Sequence, residues 1–338
     1  MLNGSPGAES YEIESRNVSS GLETDPKGAV SASFRPRPRT TFRLESSKET
    51  GQLSFGQFLA SSSLSSEIIT AGAVALEPER TLRHTASYDR RFGDVGVLRF
   101  ELTRREVENP VHTVALSDDV IIAQNTGPET VDQARASVEF PFERFGREDL
   151  ILIADVGVAE SETVDPVTGE TREVSGITSR YWSLGLRRDP GDGKLAWGIS
   201  VGGETEGDDY SVRRIRESRE DREWEAYVEW EPIEDLRLRT SLDGPGKQIR
   251  RSLFFASIRE AGLAPSFIAE TRQRVDRSAS ISVEWRRREN IEITGSLSTS
   301  PRVREEESLT PFGGPAGPIL ATATDTTPEA TLRIRIYR

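Results

Sequence analysis

The chain has 338 residues, 35% of them hydrophobic and 30% charged, and a formal net charge of −12. That length fits one large domain or two ordinary ones. The acidic balance argues against general nucleic-acid binding, which needs basic surface to neutralise phosphates. The sequence contains no cysteine, so it has no disulfide and no thiolate metal site.

Reading from the start, "MLNGSPGAESYEIESRNVSSG" has no basic beginning followed by an apolar run, so it does not read as a secretory signal peptide. Residues 1–28 are set apart as a polar N-terminal segment. From there on helical periodicity is nearly absent, and apolar and polar residues alternate with a period of two. In "VGVLRFELTRREVENP" (95–110), Leu98, Phe100 and Leu102 alternate with Arg99, Glu101 and Thr103. Further strands are predicted near 131–143, 149–161, 181–188, 193–206 and 291–299. In 223–230, Trp224, Ala226, Val228 and Trp230 oppose Glu223, Glu225, Tyr227 and Glu229. In 275–285, Val275, Ala279, Ile281, Val283 and Trp285 share a face opposite Asp276, Ser278, Ser280, Ser282 and Glu284. The chain closes with Leu332, Ile334 and Ile336 set against Thr331, Arg333 and Arg335.

The connections come in two sizes. Short turns are predicted at 91–96, 143–149, 189–193, 231–235 and 287–290. Long polar loops are predicted at 108–130, 160–178, 205–221, 260–271 and 302–329, and they alternate with the turns along the chain. An up-and-down antiparallel sheet sorts such connections to opposite ends, as outer-membrane barrels do. A Greek-key sandwich has no reason to do so. Parity then makes 236–258 one long strand with a bulge or kink at "DGPG", where Gly and Pro are allowed. It makes 60–80 an excursion at the long-loop end. The tally is about 12 to 13 strands, each near or above the roughly 9–11 residues a spanning strand needs.

No stretch approaches the roughly 20 apolar residues of a membrane-spanning helix. The mean hydropathy of −0.52 does not weigh against a membrane barrel, whose lipid-facing and lumen-facing residues alternate. The charged faces carry Arg99, Glu101, Arg105, Glu139, Asp155, Arg187, Glu225, Glu229, Arg237, Arg239, Glu284, Arg333 and Arg335. That is too much charge for a packed interior, so these faces are wet. Trp182, Trp230, Trp285 and Tyr337 fall at or near strand ends, where interfacial aromatic girdles sit.

The segment "ALEPERTLRHTASYDRRFGDVGVLRFELTRREVEN" (75–109) resembles the C-terminal barrel of TonB-dependent outer-membrane receptors. Leu76, Pro78 and Glu79 match an "LxPE" loop before a descending strand, and "GVLRFELTRREVEN" matches the rising strand that ends in charge before a long outer loop. "RPRTTFRLESSKETGQLSFGQFLA" (37–60) resembles the strand before it, and "DPVTGETREVSG" (165–176) a loop of proteobacterial members. The likeness runs, more loosely, from residue 29 to the end. The family begins with a signal peptide, a TonB-binding box and a plug inside a barrel of about 22 strands, and none of these is visible here. It tends to end in an aromatic residue, whereas this chain ends Tyr337-Arg338. The resemblance implies a barrel domain over 29–338 in the outer membrane of a Gram-negative bacterium. It also implies energy-coupled uptake of a scarce small-molecule ligand such as an iron-siderophore, with outer-membrane lipid and the TonB complex as partners.

Enzyme chemistry is not expected. Zinc needs about four ligands, and His84, on a predicted strand, and His112, in a predicted loop, are the two histidines. No Gly-x-Ser-x-Gly elbow frames a nucleophile. "GGPAGP" (313–318) lacks the Lys and Ser/Thr of a phosphate-binding loop. Asp118-Asp119, Asp208-Asp209 and Glu305–Glu307 offer oxygens to calcium but fit solvated loop charge better. The mixed signs of "RRIRESREDRE" (213–223) fit a solvated loop or strand extension. The expectation is therefore an all-β, antiparallel up-and-down transmembrane β-barrel, partial, with about 12–13 strands of a larger barrel, no catalytic, cofactor or metal residue and an unassigned ligand site. The rival readings are a passive porin-like channel, a soluble secreted β-rich binding module and an inactive receptor fragment.

Overall fold

The computed structural model describes residues 11–18, 27–58, 61–63, 68–73, 75–93, 96–117, 120–188, 194–221, 223–233, 235–259, 263–287, 291–299, 303–311, 319–324 and 329–336. These form one large antiparallel sheet and a second sheet of four strands. The twenty strands of the large sheet include five collinear pairs and the two-residue strand Thr171–Arg172. Fourteen lines of chain therefore cross it, more than the sequence tally.

Each line pairs antiparallel with the one before and the one after. The order runs Tyr11–Val18, Lys27–Arg37, Thr40–Thr50, Arg80–Phe92, Gly96–Glu108, Glu129–Phe142, Arg147–Val164, Arg180–Arg188 and Leu195–Ser211. The remaining lines are 214–233, 236–254, 267–287, 291–311 and 319–336. This is the up-and-down meander the alternation calls for. Among the described residues, the edge strands Tyr11–Val18 and 319–336 do not pair with each other.

In the last five lines the chain pauses and resumes in the same direction. Leu236–Asp243 pairs with Glu223–Ile233, and Gly246–Phe254 with Arg214–Asp221, in one register that carries across the interruption and shifts only between Trp230 and Ile233. The stretch 236–258 is thus one strand line interrupted at Gly244-Pro245, as parity requires, and it ends at Phe254. Gly244 also makes room for an aromatic ring: a Cβ there would lie 2.2 Å from Trp224 Nε1.

Two of the expected long loops are largely strand. Residues 205–221 form the tip of a tall hairpin that turns at 212–213. The stretch 302–329 contains Val303–Pro311 and Ile319–Thr324. Both faces of 205–221 and of Val303–Pro311 carry polar residues, so no apolar stripe marked them as strands. The expected loop 108–130 holds Val111–Ser117 and Val120–Asn125, and the excursion 60–80 holds Ser61–Ser63 and Ile68–Ala71. These four strands make the second sheet, with Ile68–Ala71 parallel to Val120–Asn125. The long excursions 51–79 and 109–128 leave the large sheet at the same end, and there they pair with each other.

Candidate functional site

The large sheet has two faces of opposite chemistry, in register from strand to strand. One row reads Ala32, Leu44, Ala86, Leu102, Ala134 and Val158. Further along, Leu195, Trp230, Leu238 and Val283 share a row, as do Leu236, Trp285, Ile293 and Ile334. This apolar face is open: Leu44 is 64% exposed, Leu102 61% and Leu332 72%. Few residues of the sheet are buried, so among the described residues no second layer covers that face. A shallow trough of about 720 Å³ runs over Val30, Leu44, Leu102 and Val158.

All five tryptophans lie on the apolar face, in two belts. Trp197, Trp230 and Trp285 sit toward the short-turn end, and Trp182 and Trp224 toward the long-loop end. Trp224 and Trp230 bracket roughly 20 Å of strand at 3.3 Å per residue. A ring chain of Phe34, Phe42, Tyr88 and Phe100 crosses four strands on the same face. Tyr337, expected in a girdle, lies outside the described residues.

The opposite face carries the charges, mostly in cross-strand or diagonal pairs. Arg99 Nε lies 2.6 Å from Asp89, Arg135 Nη2 2.8 Å from Asp155, and Arg237 Nε 3.2 Å from Glu229. Ser241 and Ser280 hydroxyls are 2.7 Å apart, and Ser296 and Thr331 3.0 Å. Tyr181 lies across from Gly157 and Tyr227 across from Gly198. A Cβ at Gly198 would come within 2.5 Å of the Tyr227 ring, so the glycine is what lets the ring lie flat on the strand. Arg239 stacks over that ring at 4.8 Å.

At the long-loop end an ion cluster ties three connections together. Asp165, 2% exposed, accepts from Val167 N (2.8 Å), Thr168 N (3.2 Å), Arg172 Nε (2.8 Å) and Arg259 Nη2 (2.8 Å). Arg259 Nε donates to the Ser211 carbonyl, and Arg172 lies over the Tyr210 ring at 4.4 Å. Burial pushes the Asp165 carboxyl up, but the Arg259 guanidinium and the two backbone N–H groups outweigh it, and the pKa falls below its ordinary value. Burial, and then the charge of Glu217, raise Asp208. Burial and Asp208 push the Tyr210 phenol to about 12, so it stays a donor to Asp208.

A second polar knot holds the "LEPER" loop. Asn125 Oδ1 accepts from Glu77 N at 2.7 Å, its Nδ2 donates to the Glu77 and Asn109 carbonyls, and Glu79 O accepts from Gly51 N. His112, expected in a loop, stands in the strand Val111–Ser117, with Nε2 2.7 Å from Glu129 Oε1. That contact joins the small sheet to the large one. His84 lies on the apolar face of Arg80–Phe92, in the row with Arg104 and Asp132. Asp208 and Asp209 are consecutive in a strand and point to opposite faces, so their carboxylates do not converge. The same holds between Glu306 and its two neighbours. Asp118-Asp119 and 313–318 lie outside the described residues. Among the described residues no group of three or more His, Asp or Glu could hold a metal ion.

A cavity of about 690 Å³ opens on the charged face above the apolar band. It is lined by Lys247, Arg272, Arg274, Arg304 and Glu306, with Gly246 at its edge. Lys247, Arg274 and Arg304 stand directly opposite one another on three successive strands. Sequence reasoning passed over this row, because the three residues are spread over nearly sixty positions in segments expected to be partly loop.

No family model and no curated protein matches the chain. Among solved structures, the toluene transporter TbuX of Ralstonia pickettii is similar at 10% identity over 94% of this chain and 87% of that one, with a TM-score of 0.19. A score that low carries no argument about this chain.

Proposed function

We propose that this chain is the wall of an outer-membrane β-barrel that passes a solute across the bilayer, acting in transport and not in catalysis. The observation that carries the proposal is the apolar face. It is continuous across the strands, open, and bounded by tryptophan at both ends, while the reverse face is charged. Water on that face would leave an exposed apolar patch far larger than the few hundred Å² monomeric soluble proteins tolerate. Lipid removes that cost and accounts for the tryptophan belts. The charged face then lines an aqueous or plugged lumen, and the long-end sheet and knots stand at the outer mouth. The finer reading is TonB-dependent, energy-coupled uptake of a scarce ligand such as an iron-siderophore. It is supported by the resemblance of 37–60, 75–109 and 165–176.

The direct test is tryptophan quenching in vesicles. With all five tryptophans on the apolar face, lipids brominated along the acyl chain should quench most of the fluorescence. Unchanged fluorescence in protein bound to vesicles would refute the membrane orientation. Energy coupling is tested by uptake of labelled ferric siderophore in cells with and without TonB. Uptake that persists without TonB, or ohmic ion leakage in planar bilayers, would favour a passive channel.

A further inference from the structure

The cavity above the apolar band carries mostly positive charge. Like charges placed directly across neighbouring strands destabilise a sheet, and much of the charged face avoids this by pairing opposite signs: Asp89 with Arg99, Arg237 with Glu284, and Glu292 with Arg335 stand directly opposed. In the row Lys247, Arg274 and Arg304, three cations stand side by side, with Asp221 across from Lys247 at the row's end. One rung further on, Arg272 is opposed by Glu306 and is paired along its own strand with Glu270. Arg304 Nη2 lies 3.8 Å from Asp276. Among the described residues, Arg274 pairs with no carboxylate. The five charged residues that line the cavity are four cations and one anion, in a chain whose net charge is −12.

We propose that this row is a binding site for a small polyanion, a solute bearing two or more carboxylate or phosphate groups. Arg presents a planar fork of donors that matches both groups, and Lys adds a point charge. Rings of Arg and Lys select anions in pores by the same electrostatics. The occupant is a dissolved solute and not a lipid headgroup, because the row lies on the face opposite the tryptophan belts. A volume near 690 Å³ falls in the range of small-molecule sites. The proposal rests on the transport reading for its biological meaning, and it names the class of cargo that the charged face would take.

The test is citrate binding to the folded protein by equilibrium dialysis at low ionic strength, repeated with pyrophosphate. Saturable binding is expected, weakening steeply with salt as screening predicts. Arg274→Gln should weaken it about tenfold, the scale of one charge-assisted hydrogen bond, and Gln at 247, 274 and 304 together should abolish it. Arg250→Gln removes a cation three residues further along the same strand on the opposite face, and binding should survive it. A heat-modifiable gel shift checks that each variant is folded. Folded triple variant that binds like the parent, an equal loss with Arg250→Gln, or no saturable binding at low salt would each overturn the proposal. The same preparation separates the two readings. Quenched tryptophan with no anion binding removes this site alone, while anion binding with unquenched tryptophan removes the membrane reading alone.

Discussion

Ile281→Arg separates a lipid-facing sheet from a wet one by magnitude. Ile281 is 50% exposed, stands between Thr240 and Leu297 on its neighbours, and lies between the rows of Trp224 and Trp230. In a bilayer an arginine there costs about 2–4 kcal/mol at the midplane, falling to about 0–1 near the interfaces. In water a substitution at so exposed a site stays within about ±0.5 kcal/mol. At about 1.4 kcal/mol per decade, the two readings differ by roughly tenfold to several-hundredfold in the unfolding equilibrium. The matched change on the other face is Ser282→Glu, which faces Arg239 across the strand pair. It gains an exposed ion pair worth about 0–1 kcal/mol. Urea titration in lipid vesicles, read by the heat-modifiable gel shift, measures both. A series gives the third point: Ala279→Arg should cost about as much as Ile281→Arg, and Val283→Arg, in the row of Trp230, less. Equal tolerance on the two faces would refute a lipid-facing orientation. A cost at Val283 as large as at Ile281 would point to a protein-covered face instead.

Asp165→Asn should loosen the long-loop end without unfolding the sheet. It leaves Arg172 and Arg259, whose side chains are 9% and 5% exposed, without their anion, a loss of about 3–5 kcal/mol for a broken buried pair. Limited proteolysis should then cut within 165–176 and 255–259, and unchanged protection there would contradict the role given to the cluster. The pH dependence of that protection should have two limbs of opposite sign. Asp208 titrates above its ordinary value, so its ionised form costs stability at neutral pH, and protection should rise as pH falls through that raised pKa. Asp165 titrates below its ordinary value, so its contribution is complete above the unfolded carboxylate pKa and is lost as pH falls through the lowered one. Asp208→Asn should erase the first limb only; loss of both limbs in that variant would show that the two groups do not act separately. Gly198→Ala should cost about 1–3 kcal/mol by overpacking against Tyr227, and Tyr227→Leu should rescue part of it in a double-mutant cycle. Strict additivity would mean that the ring does not depend on the glycine.

What could be read from the sequence follows where a strand has one dry face. Gly96–Glu108, Glu223–Ile233 and Ser278–Arg287 each carry an apolar stripe against charge, and their place in an up-and-down sheet is legible from that contrast alone. Arg214–Asp221 and Val303–Pro311 are strands of the same sheet carried past the apolar band, and both of their faces carry polar residues. Without an apolar stripe they have the composition of loops, although each only extends a line already counted; the line missing from the sequence tally is Tyr11–Val18, in the segment 1–28 set apart as polar. The parity of long and short connections survives this error, because a tall hairpin and a long loop return the chain to the same end.

The sites at the mouth needed a different kind of information. Asp165 meets Arg259 across 94 positions of chain, and Ile68–Ala71 meets Val120–Asn125 through a parallel pairing no local pattern announces. The cation row is the sharper case. Lys247, Arg274 and Arg304 are unremarkable one at a time in a chain with 44 basic residues, and they become a site only when three strands are set in register. Register is fixed below them by the apolar face, where a slip of one residue would turn every apolar side chain of that face toward the charged side. The packing that seats Val283, Leu238 and Trp285 on one face therefore also aligns the cations further up the same strands. A change that shifts the apolar register should disperse the positive row without touching any of its members.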